Sequence, residues 1–153
     1  MARSKSSRTK WLKFFFFLYC CFMVWLLFFR SAKWVDGLNY EQQLRMNINL
    51  QPLLTIRNYW NVIYHRTNDA VLMHCIINLG GNILLFIPVG YFLPWLWPAL
   101  RNFFAFLLTC TLAITLVELL QLVTLLGSLD IDDLILNLFG MILGYLFFII
   151  FKK

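Results

Sequence analysis

Residues 102–151 read NFFAFLLTCTLAITLVELLQLVTLL (102–126), GSLD (127–130) and IDDLILNLFGMILGYLFFIIF (131–151). Each of the two apolar runs is long enough for the helix of about 20 residues that crosses a bilayer. The four residues between them leave room only for a tight reversal of the chain. This stretch therefore predicts a hairpin of two antiparallel membrane helices.

The composition extends this interpretation to the rest of the chain. Hydrophobic residues make up 61% and charged residues 13%, against about 45–50% and about 25% in soluble domains. These values exclude a soluble globular enzyme, a disordered tail and a disulfide scaffold. Further apolar runs cover Trp11–Phe29 and Val71–Leu93. We expect an all-α membrane protein with four transmembrane helices and a long outer loop between helices 1 and 2. A single membrane domain (11–153) would follow a basic cytoplasmic tail (1–10).

The distribution of charge predicts the orientation in the membrane. Lys and Arg number 13 and the formal net charge is +6, but no helix carries the basic stripe that binds nucleic acid. With both termini cytoplasmic, eight basic residues lie inside and five lie in the 30–70 loop outside, as the positive-inside rule favours. The first run resembles a signal peptide, but Arg30–Lys33 offers no small-residue cleavage site, so we expect a retained anchor.

The cysteines do not indicate a metal site. All four (Cys20, Cys21, Cys75 and Cys110) lie within apolar runs, without CxxC spacing or a histidine at ligand spacing. We interpret them as apolar packing residues and predict no metal site from them.

Polar residues inside the predicted spans form the candidate functional cluster. An ionised carboxylate at the centre of a span costs about 2.5–3.5 kcal/mol on insertion scales, so Glu118 needs an explanation. A turn centred between Gly127 and Ser128 sets Glu118 level with Asn137. We expect the side chains of Glu118, Asn137 and Asn82 to converge in a pocket reachable from the outer face. The whole cluster comprises Asn78, Asn82, Glu118, Gln121, Asp130, Asp133 and Asn137.

Several of these residues also have purely structural interpretations. Asn78 and Asn82 are equally well explained as hydrogen bonds between helices, and His74 as an interfacial residue. Asp130 and Asp132 lie at the predicted water boundary, where they would be solvated. Gly140 and Gly144 have the spacing that allows close helix contact, and here we expect it between spans three and four.

Three segments resemble elements of VanZ-like membrane proteins. RMNINLQPL (45–53) is similar to an element in which an Arg is followed by N-L-x-P-F. NLGGNILLFIPVG (78–90) is similar to the element N-x-x-x-N-x-x-x-F-x-P-x-G. Residues 118–140 resemble E-x-x-Q followed by D-I-D-D-x-x-x-N-x-x-G. The resemblance is strongest over 44–153, with Leu53 in place of Phe, and Gly127-Ser128 where many relatives have Arg. Pro88 and Gly90 of the second element are interpreted as a kink.

The resemblance implies a bacterial cell-envelope protein, in a family linked to resistance to the glycopeptide teicoplanin. Our leading hypothesis is a protein of the cell membrane that binds or acts on a membrane lipid or a lipid-linked amphiphile. One alternative is a membrane enzyme with Glu118 or Asp133 as base or metal ligand. Another is an ion-coupled transporter, which the absence of an inverted repeat disfavours. Any cofactor and the oligomeric state stay open.

Overall fold

The computed structural model describes residues 2–29, 35–65 and 69–152. Within these ranges, four helical stretches are long and apolar enough to cross a membrane: Lys10–Phe28, Asp69–Leu96, Phe103–Thr124 and Ile131–Phe151. The prediction of an all-α membrane protein is confirmed. The expected absence of a cleavage site concerns Arg30–Lys33, which lie outside the described residues.

The spanning helices are α1 (Ala2–Phe29), the pair α4 (Asp69–Leu84) and α5 (Ile87–Leu96), α6 (Phe103–Thr124) and α7 (Ile131–Phe151). The second span is interrupted at Leu85-Phe86, and Pro88 stands in the first turn of the new helix. Proline fits this position because the amide groups of a first turn have no partner within the helix. The second span is therefore two helices joined at the site of the expected kink.

Close packing of α7 against the second span depends on glycines. A Cβ built on Gly140 would lie 2.2 Å from the carbonyl oxygen of Ile83, and one on Gly144 would lie 2.0 Å from that of Ile87. Gly90 faces the opposite way, with its Cβ position 1.9 Å from the carbonyl oxygen of Met141. The expectation that Gly140 brings spans three and four together is wrong, because its close contact is with span two.

Large side chains lie between α6 and α7, so these two helices do not approach each other as closely as α7 approaches the second span. The buried core contains Phe106, Cys110 and Ile114 of α6 together with Met141 and Tyr145 of α7. The rings of Phe106 and Tyr145 lie 4.6 Å apart between centroids. These side chains fill the space between the two helices, whereas glycine leaves no side chain between α7 and the second span.

The expected outer loop is folded within the described residues 35–65, which we call the cap segment. It contains α2 (Tyr40–Met46), β1 (Ile48–Asn49) and α3 (Leu54–His65). β1 pairs in parallel with β2 (Leu129–Asp130), which immediately precedes α7. The cap segment thus lies against the end of the bundle where α6 finishes and α7 begins, which we call the capped end.

Local hydrogen bonds give the cap segment its shape. Asn39 and Gln42 form a reciprocal capping box at the start of α2, which satisfies amide groups that the first turn leaves free. The buried side chain of Gln43 both donates to and accepts from the backbone of Val35. The hydroxyl of Tyr40 donates to the carbonyl oxygen of Val123 at 2.8 Å, which joins α2 to the end of α6.

The first span contacts the bundle at several points along its length. Phe16 packs against Phe92 and Trp97, with ring centroids 6.0 and 6.1 Å away. Further along α1, the hydroxyl of Tyr19 donates to the carbonyl oxygen of Leu85, and Met23 is buried. Leu26 and Leu27, one turn further along α1, border an open space.

Candidate functional site

A cavity of about 360 Å³ lies inside the capped end of the bundle. Its wall is formed by α1, α3, α4, α6, α7 and the turn between α6 and α7. The structure brings every residue of the sequence-derived cluster to this wall: Asn78, Asn82, Glu118, Gln121, Asp130, Asp133 and Asn137. Polar side chains from three spans and from the cap segment therefore surround one space.

Asp130 links the cap segment to the start of α7. Its two carboxylate oxygens accept hydrogen bonds from the Asn49 amide at 3.2 Å and from the Thr55 hydroxyl at 2.7 Å. Its Oδ1 also accepts from the backbone amide of Asp132 at 2.9 Å, which caps α7 in the usual way. The cap of α7 and the attachment of the cap segment therefore share one carboxylate.

Asp132 binds the beginning of α3. Its Oδ1 accepts from the amide of Leu53 at 2.5 Å, and its Oδ2 from the amide of Ile56 at 3.0 Å. Ile56 lies in the first turn of α3 and Leu53 directly precedes the helix, so this carboxylate also meets the positive end of the helix dipole. The alternative interpretation of Asp130 and Asp132 as solvated residues is wrong, since Asp130 is buried and Asp132 has 0% exposure. The cap segment covers Asp132 completely, whereas Asp130 also lines the cavity.

Asp133 and the two asparagines of α4 form the opposite wall. The Asn82 amide donates to Oδ1 of Asp133 at 2.5 Å, which connects the second and fourth spans. The Asn78 amide donates to the hydroxyl oxygen of Tyr59 at 3.0 Å, which connects α4 to α3. Burial raises the pKa of Tyr59, and the negative charge of Asp133 raises it further while the Asn78 hydrogen bond lowers it. The Tyr59 phenol is therefore neutral at physiological pH.

Glu118 and Gln121 extend from α6 towards the turn. Glu118 is only 3% exposed, and its Oε2 accepts from the backbone amide of Asp130 at 3.4 Å. The Gln121 amide donates to the carbonyl oxygen of Leu27 at 2.7 Å, which ties α6 to α1. A Cβ at Gly127 would lie 3.0 Å from the Cβ of Gln121, so the turn lies directly against this side chain.

Asn137 lines the cavity and carries a buried hydrogen-bond acceptor. The residue is 3% exposed, and its Oδ1 has no hydrogen-bond partner in the part of the chain that the structure describes. Buried polar atoms are nearly always paired, and leaving one unpaired costs about 1–3 kcal/mol. Asn137 is therefore the one residue of the described cluster with a buried oxygen that no described group satisfies.

The lining also has an apolar edge. Leu26 and Leu27 come from the end of α1, and Leu85 comes from the break in the second span. The cavity thus separates the end of α1 from the polar faces of α4 and α7. One side can accept hydrogen-bonding groups and the other can accept hydrocarbon.

The sequence missed several residues of this site. Thr55 and Tyr59 line the cavity from α3, although the segment was expected to be a loop at the membrane surface. The one feature of the sequence that could have pointed to Thr55 and Tyr59 is that they follow the family-like NLQP stretch at 49–52. His74, interpreted as interfacial, is exposed but also lines the cavity, with its ring 6.2 Å from that of Tyr59.

The His, Cys, Asp and Glu side chains of the described residues do not form a metal site. Within residues 2–29, 35–65 and 69–152, no three His, Cys, Asp or Glu side chains are arranged to hold a metal ion. The three carboxylates of the DIDD run (130–133) do not converge on one point, because each accepts a hydrogen bond from a different residue: Thr55, Ile56 and Asn82.

Comparison with known proteins gives one match. The sequence model of the VanZ/LLP1 family matches residues 16–152. This match covers nearly the whole chain and includes the first span, which lies before the three motifs found in the sequence. No curated protein and no solved structure is significantly similar to the chain.

Proposed function

The chain belongs to the VanZ/LLP1 family, and from that premise we propose that it binds an amphiphilic or lipid-linked molecule inside its membrane domain. The observation that carries the proposal is the cavity at the capped end, which has polar walls and one leucine-lined edge. Its volume of about 360 Å³ lies near the lower end of the range of ligand sites, roughly 300–1,000 Å³. It can hold a polar headgroup but not the whole of a long-chain lipid.

The polar cluster is difficult to explain by helix packing alone. Hydrogen bonds between membrane helices contribute only about 0.6–2 kcal/mol each, and a carboxylate costs more than that to insert. Leucine packs helices without this cost. The side-chain oxygen of Asn137 also has no partner among the described residues, which packing alone would not favour. Ligand binding would account for the cost of placing carboxylates there.

The proposed location is the bacterial cell membrane, with both termini in the cytoplasm. The excess of Lys and Arg on the side of the termini supports this orientation. It places the capped end, and with it the cavity, at the outer leaflet. The proposed division of the chain is a basic cytoplasmic tail (1–10) followed by a single membrane domain (11–153).

The family resemblance links this proposed activity to teicoplanin. Teicoplanin is a lipidated glycopeptide that acts at the outer membrane face, so a protein that binds amphiphiles there is suited to lower susceptibility to it. We include teicoplanin resistance in the proposal as its expected effect on the cell.

A membrane enzyme is the second candidate, because two carboxylates, Glu118 and Asp133, line the same cavity. Either of them would serve as general base towards a bound headgroup. The absence of a three-donor metal cluster among the described residues favours this version over a metal-ligand role. Release of a changed headgroup by the purified protein would distinguish the enzyme from a binding protein.

Bound lipid provides the direct test. The protein is extracted in a mild detergent, and co-purified amphiphiles are identified by mass spectrometry. Leu26→Trp should displace them, because a bulky ring at the apolar edge fills the space that we assign to the chain. Leu116→Trp on α6 is the matched control, since Leu116 is exposed on the lipid-facing side. Equal amounts of the same amphiphile in both variants would contradict the proposed site.

A further inference from the structure

Charged residues are divided unequally between the two ends of the bundle. All seven Asp and Glu of the chain lie in the cap segment, at the start of α4, or in the parts of α6 and α7 next to the cap: Asp36, Glu41, Asp69, Glu118, Asp130, Asp132 and Asp133. We call the opposite end, formed by residues 10–13, 95–104 and 148–152, the basic end. It contains four Lys and Arg and no acid: Lys10, Lys13, Arg101 and Lys152. Arg3, Lys5 and Arg8 precede it in the sequence.

Aromatic contacts bring the three parts of the basic end together. The rings of Trp97, after α5, and of Phe16 on α1 lie 6.1 Å apart between centroids. Trp95 of α5 and Phe148 of α7 also lie 6.1 Å apart. Lys13 is exposed one turn before Phe16 on α1, and residues three apart are neighbours on a helix surface. The basic residues of this end therefore belong to one packed surface rather than to separate loops.

Arg101 is fixed in position although its side chain is exposed. Its Nε donates to the carbonyl oxygen of Pro94 at 3.3 Å, and its own carbonyl oxygen accepts from the hydroxyl of the buried Tyr145 at 2.6 Å. These contacts use the backbone and one nitrogen of the guanidinium. The two terminal nitrogens form the fork that binds a phosphate with two parallel hydrogen bonds. On α7, Nζ of Lys152 lies 5.4 Å from the ring centroid of Phe148, which holds a second cation at this end.

We propose that the basic end binds an anionic phospholipid, with Arg101 in contact with the phosphate and Lys13 as a second positive charge. A headgroup with net negative charge complements a surface without acids, whereas the ammonium of a zwitterionic headgroup is repelled by it. Trp97 and Phe104, on either side of Arg101 in the sequence, are 48% and 78% exposed. Acyl chains cover such rings, and a soluble phosphate ester does not.

This site is separate from the cavity at the capped end and does not rest on the proposed function. With both termini in the cytoplasm, as we propose, the basic end faces the cytoplasmic leaflet. Anionic lipids give that leaflet a negative surface potential, and basic pockets between membrane helices on this side are known to bind lipid headgroups. The two ends of the bundle would then bind lipids of different leaflets.

Retention of phospholipids by the purified full-length protein tests the proposal. The protein is placed in nanodiscs with equal amounts of phosphatidylcholine and phosphatidylglycerol that have identical acyl chains. Native mass spectrometry then counts the molecules of each lipid that stay bound. We expect phosphatidylglycerol to be retained about fivefold more than phosphatidylcholine, the effect of about one basic residue near an anionic lipid. Equal retention of the two lipids would overturn the proposal.

Variants identify the residue that holds the phosphate. Arg101→Gln should reduce the excess of phosphatidylglycerol about fivefold, and Arg101→Lys should reduce it less because the charge is kept. Arg57→Gln is the matched control, since it removes the same charge from an exposed position on α3 of the cap segment. An equal reduction by Arg101→Gln and Arg57→Gln, or no reduction by Arg101→Gln, contradicts a site at the basic end.

Two further arms identify the source of the phosphate and the end of the bundle. Excess glycerol phosphate should not displace phosphatidylglycerol, and displacement would show a site for soluble phosphate esters instead of a lipid. Leu26→Trp, which fills the apolar edge of the cavity, should leave the excess of phosphatidylglycerol unchanged. Its loss in Leu26→Trp but not in Arg101→Gln would place the lipid in the cavity and overturn the proposal, while leaving the proposed function standing.

Discussion

Three aspartates within the DIDD run (130–133) have separate roles because of helix geometry. Residues three apart lie on the same side of a helix, so Asp130 and Asp133 both face the cavity. Asp132 lies about 100° away from Asp133 around the axis and instead reaches the first turn of α3. One short run thus lines the cavity and also holds the segment that covers it.

Replacement of Asp132 tests its role in holding the cap segment. Asp132→Ala removes the acceptors of two backbone amides and should lower the free energy of unfolding by about 2–4 kcal/mol. Asp132→Asn keeps one acceptor and should lose about half as much. The measurement is thermal unfolding in detergent, with exposed Asp69→Ala as the control. A midpoint for Asp132→Ala equal to that of the control would refute the role.

Glu118 is the residue whose ionisable group most directly tests the proposed function. Glu118→Gln preserves size and hydrogen bonding but removes the charge. We expect this variant and Glu118→Ala to insert normally and to abolish any protection of a bacterial host against teicoplanin. Growth at graded teicoplanin concentrations is the measurement, with membrane protein level as the control. Full protection by Glu118→Gln would show that the carboxylate serves only helix packing.

At the scale of elements, the position of α7 is set by the second span. Gly140 and Gly144 meet the backbone carbonyls of Ile83 and Ile87, so the helices touch without intervening side chains. Without a hydrophobic driving force between helices in lipid, such close contact is a main source of association. This packing brings Asn82 within hydrogen-bond distance of Asp133.

Alanine substitutions test this close contact. Gly144→Ala places a methyl group 2.0 Å from a carbonyl oxygen and should force α5 and α7 apart, with a stability loss of about 1–3 kcal/mol. Gly80→Ala is the matched control, because its Cβ position meets nothing within 4 Å. Denaturation in mixed micelles measures both. Equal stabilities would show that the contact is not tight in the membrane.

At the scale of the whole molecule, the cap segment closes one end of the bundle. α3 is fixed by Asp130 and Asp132 from α7, and by Asn78 from α4. Its Trp60 and Tyr64 remain exposed, as is typical of side chains at the membrane–water interface. The cavity is therefore expected near headgroup level on the side that carries the cap segment.

Orientation in the cell is predicted by the distribution of basic residues. In a cysteine-free variant, Glu41→Cys in the cap segment should react with a membrane-impermeant maleimide on intact cells. Lys5→Cys near the N-terminus should react only after permeabilisation. The reverse pattern would place the capped end in the cytoplasm and remove the proposed access from the outer leaflet.

The sequence alone was sufficient for the fold class and for most of the candidate site. Runs of about 20 apolar residues have few alternatives to membrane helices, and polar residues within such runs are costly enough to be conspicuous. Hairpin geometry then ordered Glu118, Gln121 and Asn137 by depth, because helical rise is constant. These residues line one cavity together with Asn78 and Asn82 of α4, which lie outside the hairpin.

Only the tertiary structure decided the roles of the cap segment and of the glycines. Asp132 is buried because residues distant in sequence cover it, and local polarity does not encode such a cover. Gly140 contacts span two rather than span three, because bulky core side chains keep α6 away from α7. A glycine pattern identifies a helix face that permits close contact, but the partner depends on the packing of all helices together.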